Sequence, residues 1–343
     1  MKILIVSMYY DYGKKGRGIS GDYYYFIQPL KELGINVSYF DYMSIYKKLG
    51  RKEMNKNLLK KIVTEKPDLV IFVPFTDQFL PSVIDEINNY TITIGYFFDD
   101  PWRIEYCSFW AKHFTYVTTS DINGIKKWRD RGYTNFIYSP FGCNQNLFIK
   151  KNLPKIYDIT FIGSYHPYRA WLIKNLQQFG IDVKVWGYGW RNGRVTFEQM
   201  VDIFNQTRIN LNLSNNDSFD FRYIFYFKRP LVETLRVLKK TYQNFLLNDQ
   251  KTKEMIKARH FEINACGSFQ LSFYVEGLEK FYEINKEIVI YESLEDMIEK
   301  IKYYLKHQDE REEVAYLGYK RTLSDHTMVK RLKDLLIQIG YNV

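Results

Sequence analysis

Asp68-Leu-Val-Ile-Phe-Val-Pro-Phe75 is an almost unbroken apolar run between a Lys-rich helical stretch and a turn. A run that short and that apolar reads as a strand covered by helices on both faces, which is the habit of parallel sheets. The segments around it repeat the pattern. Strands are predicted at Ile3–Met8, Val37–Phe40, Thr91–Phe98, Phe114–Thr119 and Asn135–Tyr138. Helices are predicted at Tyr23–Leu33, with Gly34 as the stop, near Asn55–Glu65, at Pro81–Asn89 and at Asn123–Arg131. Alternation of this kind predicts an α/β fold with a doubly wound parallel sheet.

A polar stretch up to about Lys155 reads as a linker, and the alternation then restarts. Strands are predicted at Asp158–Ile162, Val183–Trp186, Ile209–Leu213, Ser268–Phe273 and Glu287–Tyr291. Helices are predicted at Tyr168–Gly180, Phe197–Gln206, from about Phe261, near Gly277–Tyr282, at Leu294–Lys306 and at Glu310–Leu323. A last helix spans Thr327–Ile339 and stops at Gly340. The expected domains are therefore 1–152 and 153–326, with the 327–343 helix packing back on the first. Residues 217–253 break the rhythm and read as a helical, aromatic insertion. Phe219, Phe221, Tyr223, Ile224, Phe225, Tyr226 and Phe227 crowd there, followed by Lys228, Arg229, Arg236, Lys239 and Lys240. So many aromatic groups need a cover: the chain's own core, a partner subunit, or an anionic membrane surface.

The 343 residues suit two such domains, and a 46% hydrophobic, 26% charged composition is that of a folded chain rather than a disordered one. The net charge of +10 favours an anionic partner but does not choose among nucleotide, nucleic acid and membrane. The 18% aromatic content fits either AT-rich codon usage or platforms for sugars and bases. Three scattered cysteines, Cys107, Cys143 and Cys266, make neither a disulfide framework nor a CxxC site and point to a reducing compartment. The five histidines show no HExxH or HxH, so no metal site is expected. The N-terminus lacks a signal-peptide pattern, and no apolar run is long enough to span a bilayer.

Four places carry chemistry. Gly16-Arg-Gly-Ile-Ser-Gly21 has the spacing GxGxxG, but seven residues separate it from the end of the first strand, which argues against a dinucleotide fingerprint. It reads as a loop before a helix N-terminus, with Gly18 and Gly21 near a phosphate or sugar, or as a plain surface loop. Asp99 and Asp100, before Pro101, stand at a strand's carboxyl end, where open α/β sheets bind ligands; a sugar contact, a catalytic base and a turn cap all fit. Gly163, Ser164 and Arg169 join a strand to a helix and suit a diphosphate, or make an ordinary turn. In Lys257-Ala-Arg-His-Phe-Glu-Ile-Asn-Ala-Cys-Gly267, Glu262 can take two ribose hydroxyls and Arg259 a phosphate, and Gly267 allows close backbone approach.

Phe261–Ser272 (FEINACGSFQLS) and Glu287–Thr327 resemble the C-terminal half of the CgeB-like glycosyltransferases, members of the GT-B superfamily. Tyr157–Ser164, Trp186–Trp190, Tyr96–Trp102 and Tyr138–Asn144 fit the same pattern. The resemblance implies two Rossmann-like domains facing a cleft, with a nucleotide diphosphate sugar held mainly by the second. It places Glu262 as the second Glu of a Glu-x7-Glu motif on the ribose, and Asp99 and Asp100 near the reacting sugar. Glu254 has the spacing of the first Glu but lies in a Lys-rich segment without the usual Gly-Phe-Gly context. The implied reaction is metal-independent and retaining, takes no cofactor, and passes the sugar to a glycan, lipid or protein. A cytoplasmic location is expected, with contact at the inner membrane face only as one of the three covers open to 217–253. A non-catalytic nucleotide-sugar-binding protein and a DNA-modifying sugar transferase are the alternative readings, although no nucleic-acid motif supports the latter.

Overall fold

In this computed structural model the described residues are 1–214, 220–224, 235, 238–239 and 254–342. They divide into two compact units, Met1–Asn144 with Thr327–Val343, and Gln145–His326.

Unit 1 is a parallel six-stranded sheet. Its strands are β1 (Lys2–Ser7), β2 (Asn36–Asp41), β3 (Leu69–Phe72), β4 (Ile92–Gly95), β5 (Tyr116–Thr119) and β6 (Phe136–Tyr138), in the order β2-β1-β3-β4-β5-β6. The chain leaves β1 toward one edge to form β2, then crosses to the other side for β3, in register Ile3 to Leu69 through Val6 to Phe72. That reversal leaves a crevice at the carboxyl ends of β1 and β3. The helices are α1 (Gly21–Glu32), α2 (Tyr42–Glu65), α3 (Pro81–Ile87), α4 (Ile104–Ala111) and α5 (Ile122–Asp130). Period-2 alternation sends Ile3 and Ile5 to a core with Phe26, Leu30 and the C-terminal helix, while Leu4 and Val6 face Leu58, Phe79 and Trp110. Every residue of β3 is buried.

Unit 2 has a parallel five-stranded sheet: β7 (Tyr157–Ile162), β8 (Lys184–Trp186), β9 (Thr207–Asn212), β10 (Gln270–Phe273) and β11 (Val289–Tyr291), ordered β11-β10-β9-β7-β8. Its helices are α6 (Pro167–Gln178), α7 (Phe197–Gln206), the turn α8 (Phe221–Ile224), α9 (Arg259–Ala265), α10 (Leu294–Lys306) and α11 (Gln308–Asp325). Thr196 and Gln199 form a full capping box on α7, and Ser293 caps α10 through the Asp296 amide. The chain then returns to unit 1 as α12 (Met328–Gln338), which packs against α1.

The α/β class holds, and several boundaries need correction. The unit boundary follows Asn144, not residue 152, because the next residues are tied into unit 2: the Lys151 amide donates to Asn205 Oδ1 at 2.7 Å and Lys155 Nζ to Asn205 O at 2.8 Å. The helix near Asn55 begins thirteen residues earlier, at Tyr42, and is broken at Gly50, whose φ of 80° a helix does not adopt. Between Gly277 and Tyr282 only a short 3-10 turn forms, Leu278–Lys280. Helix α4 was not anticipated. Most of 217–253, including Phe219, Phe225, Tyr226 and Phe227 with the basic residues Lys228, Arg229, Arg236 and Lys240, lies outside the described residues. Within it Tyr223 is buried, its ring 4.8 Å from Tyr168 and 5.7 Å from Trp171. Arg222 is paired with Asp220 and Glu295.

Candidate functional site

The carboxyl edge of the unit 1 sheet opens into a cavity of about 250 Å³. Met8 after β1, Val73 to Phe75 after β3 and Tyr96 to Asp99 after β4 form its floor. The N-terminus of α1 closes one side with Ser20, Gly21 and Asp22, and Asp11 and Tyr12 another. Arg103 and Cys107 complete the wall. The loop carrying Asp11 is tied down: its amide donates to Gly18 O at 3.1 Å, and the Ser20 amide to Tyr9 O at 2.8 Å. Gly18 has a φ of +82°, which closes this loop; Gly21, at the start of α1, is the one of the two predicted glycines that reaches the cavity.

The paired acids separate. Asp99 lines the cavity. Asp100 turns inward and is fully buried, accepting from the Ser120 amide at 3.2 Å and from Trp128 Nε1 at 3.0 Å. Burial pushes its carboxyl up to about 7 against the bonds from Thr119, Ser120 and Trp128. The assignment of Asp100 to the reacting sugar is therefore corrected: its two oxygens are held by the Ser120 amide, just before α5, and by Trp128, near the end of that helix, and it does not line the cavity. Cys107 is buried, and burial raises its thiol well above the ordinary range, which does not suit a nucleophile.

Asp22 was missed by the sequence reading. It sits in the first turn of α1, where an acid is commonplace, and the only available signal was its place directly after the glycine loop. Its carboxyl is enclosed and pushed up to about 7 by burial, with Asp11 adding to the rise, while the Met8 amide and Ser20 hydroxyl bind it. Its Oδ2 is shut off from solvent and has no hydrogen-bond partner.

In unit 2, Gly163, Ser164 and Arg169 follow the carboxyl end of β7, whereas Gly267 lies between α9 and the amino end of β10. Arg169, in the first turn of α6, donates to Ser164 O at 3.0 Å. Burial lowers its basicity, and Glu254 opposes that effect. Arg169 Nε is buried without a partner. Arg259 also lies within the field of Arg169 and is bound to Glu262, Nη1 to Oε2 at 2.6 Å. Glu262 is 5% exposed. Glu254 and Arg259 both act electrostatically on Arg169, and Arg259 is paired with Glu262, so the four charged residues lie near one another.

Two backbone expectations are corrected. The Gly163 amide donates to Trp186 O at 2.9 Å, and Gly163 O accepts from Trp190 Nε1 at 2.9 Å, so this backbone is committed within the fold. Gly267 has a φ of +62° and closes α9, its amide donating to Asn264 O, and this backbone geometry by itself favours glycine there. Among the described residues no group of three or more His, Cys, Asp or Glu is arranged to hold a metal ion.

Residues 169–337 match the model of a family described as glycosyl transferase-like. The chain is 25% identical over 229 residues to the spore protein CgeB of Bacillus subtilis (strain 168), a match covering 62% of this chain and 63% of that protein's length. Among solved structures, Anabaena HepE in complex with UDP and glucose superposes with a TM-score of 0.61 at 8% identity over 100% of both chains. The sucrose-phosphate synthase of Thermosynechococcus elongatus gives 0.60 at 10% identity over 98% of each chain. The T4 phage BGT in complex with its UDP-glucose substrate gives 0.56 at 14% identity over 99% of this chain and 100% of that one. At such identities the likeness to solved structures is one of fold.

Proposed function

We propose that this chain, similar to a glycosyl transferase-like family over 169–337 and to the spore protein CgeB, moves a sugar from a nucleoside diphosphate sugar to an acceptor glycan, lipid-linked glycan or protein. The observation that carries this reading is the charged group of Arg169, Arg259, Glu254 and Glu262 at the carboxyl edge of the unit 2 sheet. Two guanidinium groups meet the charge that grows on a departing diphosphate, which is the largest stabilisation such a reaction needs. Glu262, released from Arg259 by the incoming phosphate, accepts the two ribose hydroxyls. Relatives in fold hold UDP and UDP-glucose, which favours a uridine donor. With two arginines supplying the charge, the transfer runs without a metal. In the retaining course, the acceptor oxygen bonds to the anomeric carbon on the face the phosphate leaves, and the departing phosphate takes the acceptor's proton.

Asp99, which lines the unit 1 cavity, is the acid that this reading assigns to the sugar. The three cysteines are free and buried, which suits the cytoplasm. Among the described residues no helix is long and apolar enough to cross a membrane.

A thermal-shift panel of UDP-, GDP- and dTDP-sugars tests the reading. A donor at ~100 times its dissociation constant adds ~2.7 kcal/mol of stability. A shift with one nucleotide family, and slow donor hydrolysis without acceptor, are expected. Binding without hydrolysis or transfer would leave a sugar-nucleotide-binding protein, and no shift with any donor would defeat the proposal.

A further inference from the structure

We propose that the loop between β8 and α7, with Tyr165 beside it, is a docking surface for an acidic glycan chain. This rests on the chain being a sugar transferase and adds the chemical class of its acceptor, a carbohydrate chain carrying carboxylates, with the side chains that hold it.

The loop is built to hold one shape. The Gly187 amide donates to Gly193 O at 2.7 Å, the Gly193 amide to Trp190 O at 3.0 Å, and Asn192 Nδ2 to Val185 O at 2.9 Å. Trp190 Nε1 reaches across to Gly163 O, and the Tyr165 amide donates to Tyr188 O at 2.7 Å, so the loop is tied to the connection between β7 and α6. Gly189 has a φ of +84°, and a Cβ there would lie 2.7 Å from Tyr165 Cβ. This fixed scaffold presents aromatic rings to water. Tyr188 is 64% exposed and Tyr165 44%, and the Tyr165 ring lies 5.0 Å from that of the half-buried Trp190. A loop that only turns the chain carries small polar residues, whereas clustered rings held fixed in solvent mark a contact surface.

The groups around the rings select the occupant. Arg191 and Arg194 are exposed in the same loop, and Val183–Phe197 contains no acid. Positive charge therefore stands beside ring faces. Sugar rings meet aromatic side chains through apolar C–H faces, and carboxylates along a glycan meet the planar guanidinium fork. A lipid surface fits less well, because no aliphatic side chain stands between Tyr188 and Arg194 to enter it. Nucleic acid also fits less well: Tyr165 and Trp190 meet edge to face at 68° and give no parallel faces for successive bases.

Thermophoresis on the full chain tests this. The acidic probes are hexamers of galacturonate and of mannuronate, and maltohexaose is the neutral counterpart. Polyphosphate, a single-stranded oligonucleotide and phosphatidylglycerol vesicles stand for the other anions. The wild type is expected to bind at least one acidic hexamer, and every other probe about tenfold more weakly or worse. Tyr188→Ala keeps the carbonyl that ties the loop and should lose about tenfold of that affinity. Arg191→Gln combined with Arg194→Gln should lose about as much, and should flatten the fall of affinity with salt. UDP affinity by calorimetry should be unchanged in both variants. No acidic hexamer bound, unchanged binding by either variant, or equal binding of any other probe overturns the surface. A chain that binds the hexamer but neither binds nor hydrolyses a sugar nucleotide counts against the transferase reading and leaves the surface standing. A chain that transfers sugar but binds no acidic hexamer does the reverse.

Discussion

Arg259 and Glu262, one turn apart on α9, are bound to each other at 2.6 Å, with the carboxylate nearly sealed from solvent. The two groups that would hold opposite parts of a nucleotide neutralise one another in its absence. In the proposed donor complex, a phosphate drawing Arg259 away would free Glu262 for hydroxyls, so the two contacts would form together.

Glu262→Ala is expected to weaken UDP binding by about 1.5–3 kcal/mol, since charged hydrogen bonds to two hydroxyls vanish. Calorimetry on wild type and variant measures it. Equal affinity would remove Glu262 from the site.

Arg169→Lys should weaken UDP about tenfold or more, because an ammonium reproduces the charge but not the fork, and loses the tether to Ser164 O. A nucleotide complex with both guanidinium groups far from phosphate would refute the role given to Arg169 and Arg259.

The neighbours Asp99 and Asp100 should behave oppositely. Asp99→Asn is expected to lower turnover far more than UDP affinity, as a residue on the sugar side would. Asp100→Asn sets an amide against Trp128 Nε1, leaving a donor facing a donor, and should cost about 1–3 kcal/mol of stability. Denaturant melts of both variants, beside their kinetics, separate the roles.

The pH dependence has a definite sign. Asp22 and Asp100 titrate at about 7 when folded against an ordinary value of 3.8. The folded chain thus holds more protons between those values, and stability falls as pH rises through them. Asp22→Asn removes one such group, so its melting temperature should gain on the wild type's between about pH 4 and 7. A constant difference across that range would contradict the burial of this carboxyl.

Gly187→Ala tests the scaffold under Arg169. The residue has a φ of +141°, and an added Cβ would lie 1.9 Å from Gly163 O. A loss of about 3 kcal/mol is expected in a thermal or denaturant melt.

Most of the fold was legible because its strands are apolar on both faces and its helices carry clear starts. Ser20, Asp121, Thr196 and Ser293 each cap where the pattern begins. The first half of α2 was hidden by its Tyr- and Lys-rich composition and by Gly50, which interrupts the periodicity. The site was legible in part. Asp99-Asp100 marked the right sheet edge, but adjacent residues in a turn point opposite ways, and only packing against Trp128 shows which one is spent. Asp22 looked like any first-turn acid until the cavity and the unpartnered oxygen appeared beside it. Gly163 and Gly267 drew notice as small residues near a ligand, whereas their backbone bonds are internal.

The bridge between Cys143 and Thr327, with the Met328 amide donating to Cys143 O at 2.7 Å, puts the exit from unit 1 next to the re-entry. Unit 2 is in effect a parenthesis in the text of unit 1. A fragment ending at Asn144 would lack α12 and leave the partners of Met328, Leu332, Leu335 and Leu336 wet. The gene segment for 145–326 could instead be cut out and the ends joined by a short loop. For an engineer, the natural splice point is that bridge.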